Sequence, residues 1–148
     1  MFGHEYYMNE ALKEALKAYE QDEIPIGAII VCNDIVIARA HNLTEKLHDV
    51  TAHAEMQAIT AASEYLGGKY LDQCSMYVTL EPCPMCAGAL YWAQLGTLIY
   101  AASDEKRGYT LLNSVVLHPK TKVIGGIKQN EAAQLIKQFF VDKRFSRN

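Results

Sequence analysis

The stretch SMYVTLEPCPMC, residues 75–86, decides the fold of this chain. Its first half, Ser75–Leu80, is rich in apolar and β-branched residues, which is typical of a buried strand. Pro84 follows where a helix would have its first turn, a position that tolerates proline because no backbone N–H is needed there. The pattern therefore predicts a strand that leads directly into a helix ending near Leu95.

Hydrophobic periodicity and turn residues predict the elements on either side of this unit. Upstream, they are a helix over Asn9–Tyr19 capped by Asn9, a hairpin of strands Ala28–Val31 and Ile35–Ala40 around Asn33-Asp34, and a helix that follows Thr51 and runs to about Leu66. Downstream, they are strands at Thr97–Tyr100 and Lys120–Ile124 and a helix over Glu131–Lys143 capped by Asn130. Because helices separate the later strands, those strands should run parallel, whereas the hairpin makes one antiparallel pair. We expect an α/β fold in three layers, α/β/α, with a five-stranded mixed sheet.

Length and composition favour one domain over residues 1–148. Half of the 148 residues are hydrophobic, so the chain can bury a core without disulfide bonds. No run of 18 apolar residues occurs, and Met1–Glu10 lacks the basic and apolar regions of a signal peptide. We therefore expect a cytoplasmic protein, in which paired cysteines serve metal or redox chemistry.

Charge is distributed unevenly along the chain. The net charge of −3 argues against a nucleic-acid partner, yet residues 1–74 carry −7 and residues 75–148 carry +4. Such asymmetry suits either an anionic partner or an ordinary solvated surface. If the partner is a nucleic acid, the candidates for phosphate contact are Lys143, Arg144 and Arg147, in or after the last predicted helix.

Cys83 and Cys86 are three positions apart, so they share one side of a helical turn. The partial positive charge of a helix N-terminus favours thiolates there. Taken alone, the pair fits either a metal site or a thioredoxin-like redox motif. His53, at the start of another predicted helix, favours the metal, because one imidazole and two thiolates leave a tetrahedral zinc with the open position of a catalytic site. The alternative is a structural zinc closed by one of the other histidines: His41, His48 or His118.

Glu55 is the candidate for proton transfer. Residues two apart on an ideal helix point about 200° apart, so Glu55 and His53 converge on one metal only if His53 lies in or before the first turn. The alternative role of Glu55 is a favourable charge at a helix N-terminus. A zinc ion lowers the pKa of its bound water from about 16 to about 7, and a carboxylate beside it can accept and deliver a proton. This chemistry fits hydrolysis of an amide, an ester or an amidine-like ring carbon.

Two motifs together, His53-Ala54-Glu55 and Pro82-Cys83-Pro84-Met85-Cys86, resemble the signature of the zinc cytidine-deaminase superfamily. The resemblance implies a five-stranded sheet between helices, one zinc ion per chain held by His53, Cys83 and Cys86, and a homodimer. It also implies a hydrolytic reaction in which water activated by zinc adds to a nucleobase ring, ammonia leaves, and Glu55 transfers the proton.

Further stretches look like the bacterial tRNA adenosine deaminases, which convert adenosine to inosine at the wobble position of an anticodon. They are Ile24-Pro25-Ile26-Gly27-Ala28, Tyr77–Cys83, Met85–Ala89 and the tail Ala133–Arg144. The likeness to this branch implies a tRNA anticodon loop as partner, with Asn42 and Ile26 in contact with the target nucleoside.

Some positions depart from that branch. Leu43 stands where the branch often has a basic residue, and Pro84 together with Tyr91-Trp92-Ala93 is also similar to bacterial guanine deaminases. A deaminase of free guanine or cytosine is therefore the alternative among enzymes. A nucleic-acid-binding module with a structural zinc is the alternative outside enzymes.

Overall fold

The computed structural model describes residues 2–146, in which a five-stranded sheet carries helices on both faces. In chain order the elements are α1 His4–Glu20, β1 Gly27–Cys32, β2 Ile35–His41, α2 Ala54–Leu66, β3 Cys74–Leu80, α3 Pro84–Ala93, β4 Thr97–Ala102, a single 3-10 turn at Tyr109–Leu111, β5 Lys122–Ile124 and α4 Gln129–Ser146. The strand order is β2-β1-β3-β4-β5. The predicted α/β/α arrangement with a mixed five-stranded sheet is confirmed.

The sheet contains two antiparallel pairs, whereas the hairpin alone predicts one. β1 lies between β2 and β3 and is antiparallel to both, while the β3–β4 and β4–β5 pairs are parallel. The connection through α2 still joins two strands of the same direction, β2 and β3, but β1 is inserted between them. Periodicity along the chain predicts strands and not their neighbours, so the second antiparallel pair was not predictable from it.

The two predicted asparagine caps are wrong. α1 begins at His4, so Asn9 lies inside this helix, and Gly3 precedes it without a side-chain cap. Asn130 likewise lies inside α4, which begins one residue earlier and continues to Ser146. Tertiary packing extends α1 at its start, because Tyr7 is buried and its ring centroid lies 5.2 Å from that of Tyr77 in the sheet.

Other element ends differ by a few residues. α3 ends at Ala93 and not at Leu95, because Gln94 adopts a left-handed conformation with φ of 54°. β4 continues two residues past Tyr100, and β5 begins two residues after Lys120.

The core has two halves, one on each face of the sheet. Along β1, Ala28 and Ile30 pack with α2 and α3 on one face, whereas Ile29 and Val31 pack with α1 and α4 on the other. A strand that is buried on both faces needs a continuous apolar run, and this explains why β1 shows no polar alternation. Within residues 2–146, no helix is long and apolar enough to cross a membrane.

The direction of the strands places three segments at one edge of the sheet. β2, β3 and β4 all run the same way, so the residues that follow each of them meet at the edge formed by their carboxyl ends. These segments are residues 42–53 before α2, residues 81–83 before α3, and residues 103–111 after β4. The candidate site lies where they meet.

Candidate metal centre and pocket

His53, Cys83 and Cys86 form a compact group of metal-binding atoms. His53 Nδ1 lies 3.7 Å from Cys83 Sγ and 3.5 Å from Cys86 Sγ, and all three ligand atoms lie within 4.8 Å of one another. In a tetrahedral site with Zn–N and Zn–S bonds of about 2.0–2.3 Å, the N···S edge is about 3.6 Å. The donor types and their spacing therefore fit one tetrahedral zinc ion.

Two helix N-termini bring these ligands together. His53 is the N-cap residue of α2 and Cys83 is that of α3, both with extended backbone, and Cys86 lies in the first turn of α3. Neither N-cap residue forms a side-chain capping hydrogen bond. Because His53 precedes the first turn instead of lying within it, Glu55 can approach the same point although it is only two residues away.

Hydrogen bonds within the group shift the pKa values of its members. The Cys86 thiol and, to a smaller extent, the His53 imidazole stabilise the Cys83 thiolate and lower the pKa of Cys83 to about 4. A hydrogen bond with Cys83 raises the pKa of His53. A hydrogen bond to Cys83 also raises the pKa of the Cys86 thiol, which is the donor. A thiolate at Cys83 at neutral pH is the form that a metal ion requires.

Glu55 is a buried carboxyl group beside the ligands and is not one of them. It lies in the first turn of α2, is 4% exposed, and lines the pocket described below. Burial raises the pKa of Glu55 to about 7. A carboxyl group with a pKa near neutrality can both accept and donate a proton at neutral pH, so the position suits general acid–base chemistry.

A cavity of about 330 Å³ opens beside the group, within the usual range for small-ligand sites. Besides His53, Glu55 and Cys83, its walls include Ile24, Ile26, Asn42, Thr44, Leu80, Glu81, Asp104, Lys106, Arg107, Ile136 and Phe140. Both residues that the family resemblance assigns to substrate contact, Ile26 and Asn42, lie in this wall. The cavity suits a flat ligand with apolar faces and a polar edge.

The Asn42 side chain retains hydrogen-bonding capacity toward the cavity. It is 4% exposed, and its two contacts with the protein are long. Asn42 Nδ2 donates to the Ile24 carbonyl at 3.5 Å, and Asn42 Oδ1 accepts from the Thr44 N–H at 3.4 Å. Since an amide group both donates and accepts, it can pair with the edge of a heterocyclic base.

Three pocket residues, Asp104, Lys106 and Arg107, belong to no sequence motif. They lie in the loop after β4, and the side chains of Lys106 and Arg107 are exposed at the mouth of the cavity. The sequence did contain a signal for them, because β3 and β4 are predicted to be parallel and the segments after parallel strands share an edge of the sheet. Lys106 and Arg107 thus place two cationic groups in the wall of the pocket that His53 and Cys83 also line.

The cations predicted to contact phosphate lie on α4 or beyond it. Lys143 Nζ lies 2.5 Å from Asp22 Oδ2, just after α1, and over the Phe139 ring, 5.7 Å from its centroid. Lys143 therefore has an intramolecular partner that the sequence does not reveal. Arg144 is exposed on the same helix, whereas Arg147 lies outside the described residues.

The other histidines do not complete the metal group. Within the described part of the chain, the only set of three or more candidate ligands is His53, Cys83 and Cys86. His41 Nε2 lies 3.2 Å from the side-chain oxygen of Gln21, and His118 Nδ1 accepts a backbone hydrogen bond from Lys120. The geometry favours three protein ligands and an open fourth position, as in catalytic zinc sites.

Comparison with known proteins adds an independent finding. A family model described as MafB19-like deaminase matches residues 2–144. The tRNA-specific adenosine deaminase of Agrobacterium fabrum is 43% identical over 144 residues, covering 94% of this chain and 95% of that protein. The tRNA-specific adenosine deaminase of Bacillus subtilis is 42% identical over 149 residues, covering 97% of this chain and 92% of that protein.

Solved structures similar to this chain are also deaminases. One from studies of A-to-I editing by tRNA:A34 deaminases at the wobble position of transfer RNA has a TM-score of 0.83 and 42% identity, covering 88% of this chain and 98% of that chain. A guanine deaminase from Bacillus subtilis has a TM-score of 0.66 and 40% identity, covering 69% of this chain and 66% of that chain. The resemblance to deaminases predicted from the two motifs is confirmed.

Proposed function

The chain belongs to the MafB19-like deaminase family, and we propose that it is a zinc-dependent hydrolase that converts adenosine to inosine at the wobble position of a tRNA. The observation that carries this proposal is identity above 40% to tRNA-specific adenosine deaminases over more than nine-tenths of the chain. A tRNA substrate implies a cytoplasmic enzyme.

We assign the metal to His53, Cys83 and Cys86. When bound there, zinc supplies a water molecule whose pKa is lowered toward about 7. The Glu55 carboxyl group accepts a proton and delivers it to the amino group that leaves as ammonia. Its pKa of about 7 supports this role, because the group can change protonation state in each direction during one turnover.

The pocket walls hold the base in our proposal. The Asn42 amide pairs with its polar edge, and Ile26 contacts its apolar face. The buried Asn42 and the half-buried Ile26 limit the access of bulk water to the base.

Two observations favour tRNA over a free base. The guanine deaminases that match are either 40% identical over about two-thirds of each chain or 22% identical over more of it, whereas the tRNA-specific adenosine deaminases are 42–43% identical over more than nine-tenths of each chain. In addition, Lys106 and Arg107 place positive charge at the mouth of the pocket, where an oligonucleotide would have its phosphates. A neutral purine would gain little from these cations.

We also propose a homodimer, as the family resemblance implies. α3 leaves three large apolar side chains at least partly exposed, with Trp92 at 78%, Tyr91 at 38% and Met85 at 36%. Exposed apolar residues grouped on one helix suit a protein interface. Sedimentation equilibrium at micromolar concentration should give twice the chain mass, and the mass of one chain would contradict the proposal.

The decisive experiment offers the zinc-loaded protein four substrates: a tRNA with adenosine at the wobble position, guanine, cytosine and cytidine. We expect inosine in the tRNA and an equal amount of ammonia. The matched control is the same tRNA with guanosine at the wobble position, which should release none. Ammonia from guanine with no inosine in the tRNA would favour the free-base alternative, and ammonia from none of the four would overturn the proposal.

A further inference from the structure

Two buried carboxyl groups beside the pocket take no part in the proposed reaction. Glu23 is 0% exposed and Glu81 is 3% exposed. Within residues 2–146 neither forms an ion pair with a lysine, arginine or histidine, although buried carboxylates usually have such a partner. Their hydrogen bonds go instead to loops at the mouth of the cavity.

Glu81 holds the loop after β4, residues 103–111. Glu81 Oε1 accepts the backbone N–H of Asp104 at 3.1 Å. Glu81 Oε2 accepts both the backbone N–H of Thr110 at 3.0 Å and its hydroxyl at 2.7 Å. These contacts fasten the loop at both ends, and the residues between them include Lys106 and Arg107.

Glu23 holds the loop before α2, residues 43–52, in the same way. Glu23 Oε1 accepts the backbone N–H of Glu45 at 3.0 Å, and Glu23 Oε2 accepts that of Lys46 at 2.8 Å. The neighbouring residues on the site side of these contacts are Thr44 and Asn42, both of which line the pocket.

The loop after β4 packs closely against the Glu81 side chain. A Cβ atom added to Gly108 would lie 2.1 Å from Glu81 Oε2, so the loop after β4 reaches the carboxylate only because residue 108 has no side chain. Glu81 N–H also donates to the Ala102 carbonyl at 2.8 Å, which ties the backbone of Glu81 to the last residue of β4. The loop after β4 therefore packs directly against the Glu81 carboxylate at Gly108.

We propose that Glu23 and Glu81 are positioning residues that hold the two loops at the mouth of the pocket in the shape that binds substrate. The physical reason is the cost of a buried carboxylate oxygen without a donor, since the loops supply every donor described for these two groups. Displacing either loop would leave a buried carboxylate without hydrogen-bond donors, so the observed loop positions are favoured in the absence of substrate. The identity of the substrate rests on the proposed function, whereas the anchoring itself does not.

The first test measures how firmly Glu23 and Glu81 hold the two loops, and it does not depend on enzyme activity. Backbone hydrogen exchange is followed in zinc-loaded Glu81→Gln and Glu23→Gln, in which an N–H₂ group replaces one acceptor. We expect exchange to become roughly tenfold faster at Asp104 and Thr110 in the first variant and at Glu45 and Lys46 in the second, each leaving the other loop unchanged. Unchanged exchange, or faster exchange throughout the sheet, would overturn the proposal.

Matched controls separate the loss of the hydrogen bonds to the loops from the loss of one negative charge. Glu105→Gln and Glu45→Gln remove the same charge from exposed side chains on the same two loops, and we expect exchange as in wild type. If a glutamine variant fails to fold, Thr110→Val removes one of the three bonds to Glu81, and Glu23→Asp retains the charge but shortens the reach. A smaller, still local, increase in exchange is then expected.

The second test compares the effect of Glu81→Gln on KM with its effect on kcat. We expect Glu81→Gln to raise KM for tRNA by about tenfold while zinc content stays full and kcat changes less than KM. Local loosening with an unchanged KM would overturn the positioning role. If the wild-type protein does not deaminate tRNA, the proposed function fails, but the exchange experiment still decides the anchoring, and KM is then measured on the base that is deaminated.

Discussion

In the proposed mechanism, metal binding and proton transfer belong to two residues, Cys83 and Glu55, with different surroundings. The Cys83 sulfur receives hydrogen bonds that lower its pKa to about 4, whereas burial raises the pKa of Glu55 to about 7. The first shift favours the ionised form that a metal ion binds, and the second favours a group that exchanges protons near neutrality. The opposite directions have different causes, because hydrogen bonds from Cys86 and His53 stabilise the Cys83 thiolate, whereas burial disfavours the charged form of Glu55 more than its own hydrogen bonds favour it.

Glu55→Gln should therefore remove activity without removing the metal. The amide has nearly the same shape but no useful proton, so we expect kcat to fall by roughly 10²–10⁴-fold while zinc stays near one ion per chain. The measurements are a single-turnover deamination assay and metal analysis of the same preparation.

Cys83→Ser serves as the contrasting variant. It should lose both zinc and activity, because a serine hydroxyl is not ionised at neutral pH and binds zinc poorly. Full zinc occupancy in Cys83→Ser would contradict the ligand assignment, and activity of Glu55→Gln within a few-fold of wild type would contradict the proton-transfer role.

Among the elements, the contact of α1 with β1 is unusually close. A Cβ atom on Gly27, the first residue of β1, would lie 2.1 Å from the Ala11 carbonyl oxygen and 2.5 Å from the Ala15 backbone nitrogen. Both are backbone atoms of α1, so no side-chain rotation can make room. The same part of the chain carries Ile24 and Ile26 to the pocket wall, and the packing of α1 thus helps to position the site.

Gly27→Ala should destabilise the whole fold. Overpacking costs about 1–3 kcal/mol when the structure can shift, and a clash with helix backbone should lie at the upper end of that range. Urea denaturation followed by circular dichroism measures the change in the free energy of unfolding.

The matched control for Gly27→Ala is Gly88→Ala in α3. A Cβ atom at Gly88 would have no atom within 4 Å apart from its chain neighbours and the backbone of its own helix, and alanine is favoured over glycine inside a helix by about 0.5–1 kcal/mol. We expect this control to be neutral or slightly stabilising. Equal stability of both variants would show that α1 moves away from β1 without cost.

For the whole molecule, the position of charge matters more than its sum. The net charge is −3, yet Lys106 and Arg107 lie at the mouth of the pocket. Lys143 on α4, by contrast, forms an ion pair with Asp22, just after the end of α1. This ion pair connects α4 with the segment that follows α1. A cation that already has an anionic partner releases fewer counterions when it meets a phosphate.

Replacing Lys106 and Arg107 by glutamine should weaken tRNA binding and flatten its salt dependence. Each lost contact with single-stranded RNA lowers the slope of log K against log salt by about 0.7, so we expect a decrease of up to about 1.4. Filter binding at four salt concentrations provides the measurement.

The double variant Lys143→Gln, Arg144→Gln tests the sequence prediction for α4 in the same assay. We expect at most about one contact, or 0.7 in slope, because Lys143 is already paired. A larger loss from α4 than from the loop after β4 would contradict this ranking of the two surfaces.

The sequence by itself determined the features that depend on neighbours along the chain. The strand and helix on either side of Glu81, the hairpin at Asn33-Asp34 and the α/β class follow from periodicity and turn residues. The candidate metal ligands, and their place at helix starts, were also evident, because His53, Cys83 and Cys86 lie beside recognisable helix boundaries. Those boundaries were predictable only to within a few residues, since packing such as that of Tyr7 on Tyr77 extends a helix beyond its local signals.

Only the tertiary structure decided which distant segments meet. It inserted β1 between β2 and β3, brought the loop of Lys106 and Arg107 to the pocket, and paired Lys143 with Asp22. It also brought Glu23 and Glu81 to the loops that they hold, a contact for which the sequence contains no local signal. The physical reason is that hydrogen bonds and ion pairs between residues far apart in the chain depend on the order and direction of strands, and local propensity carries no information about either.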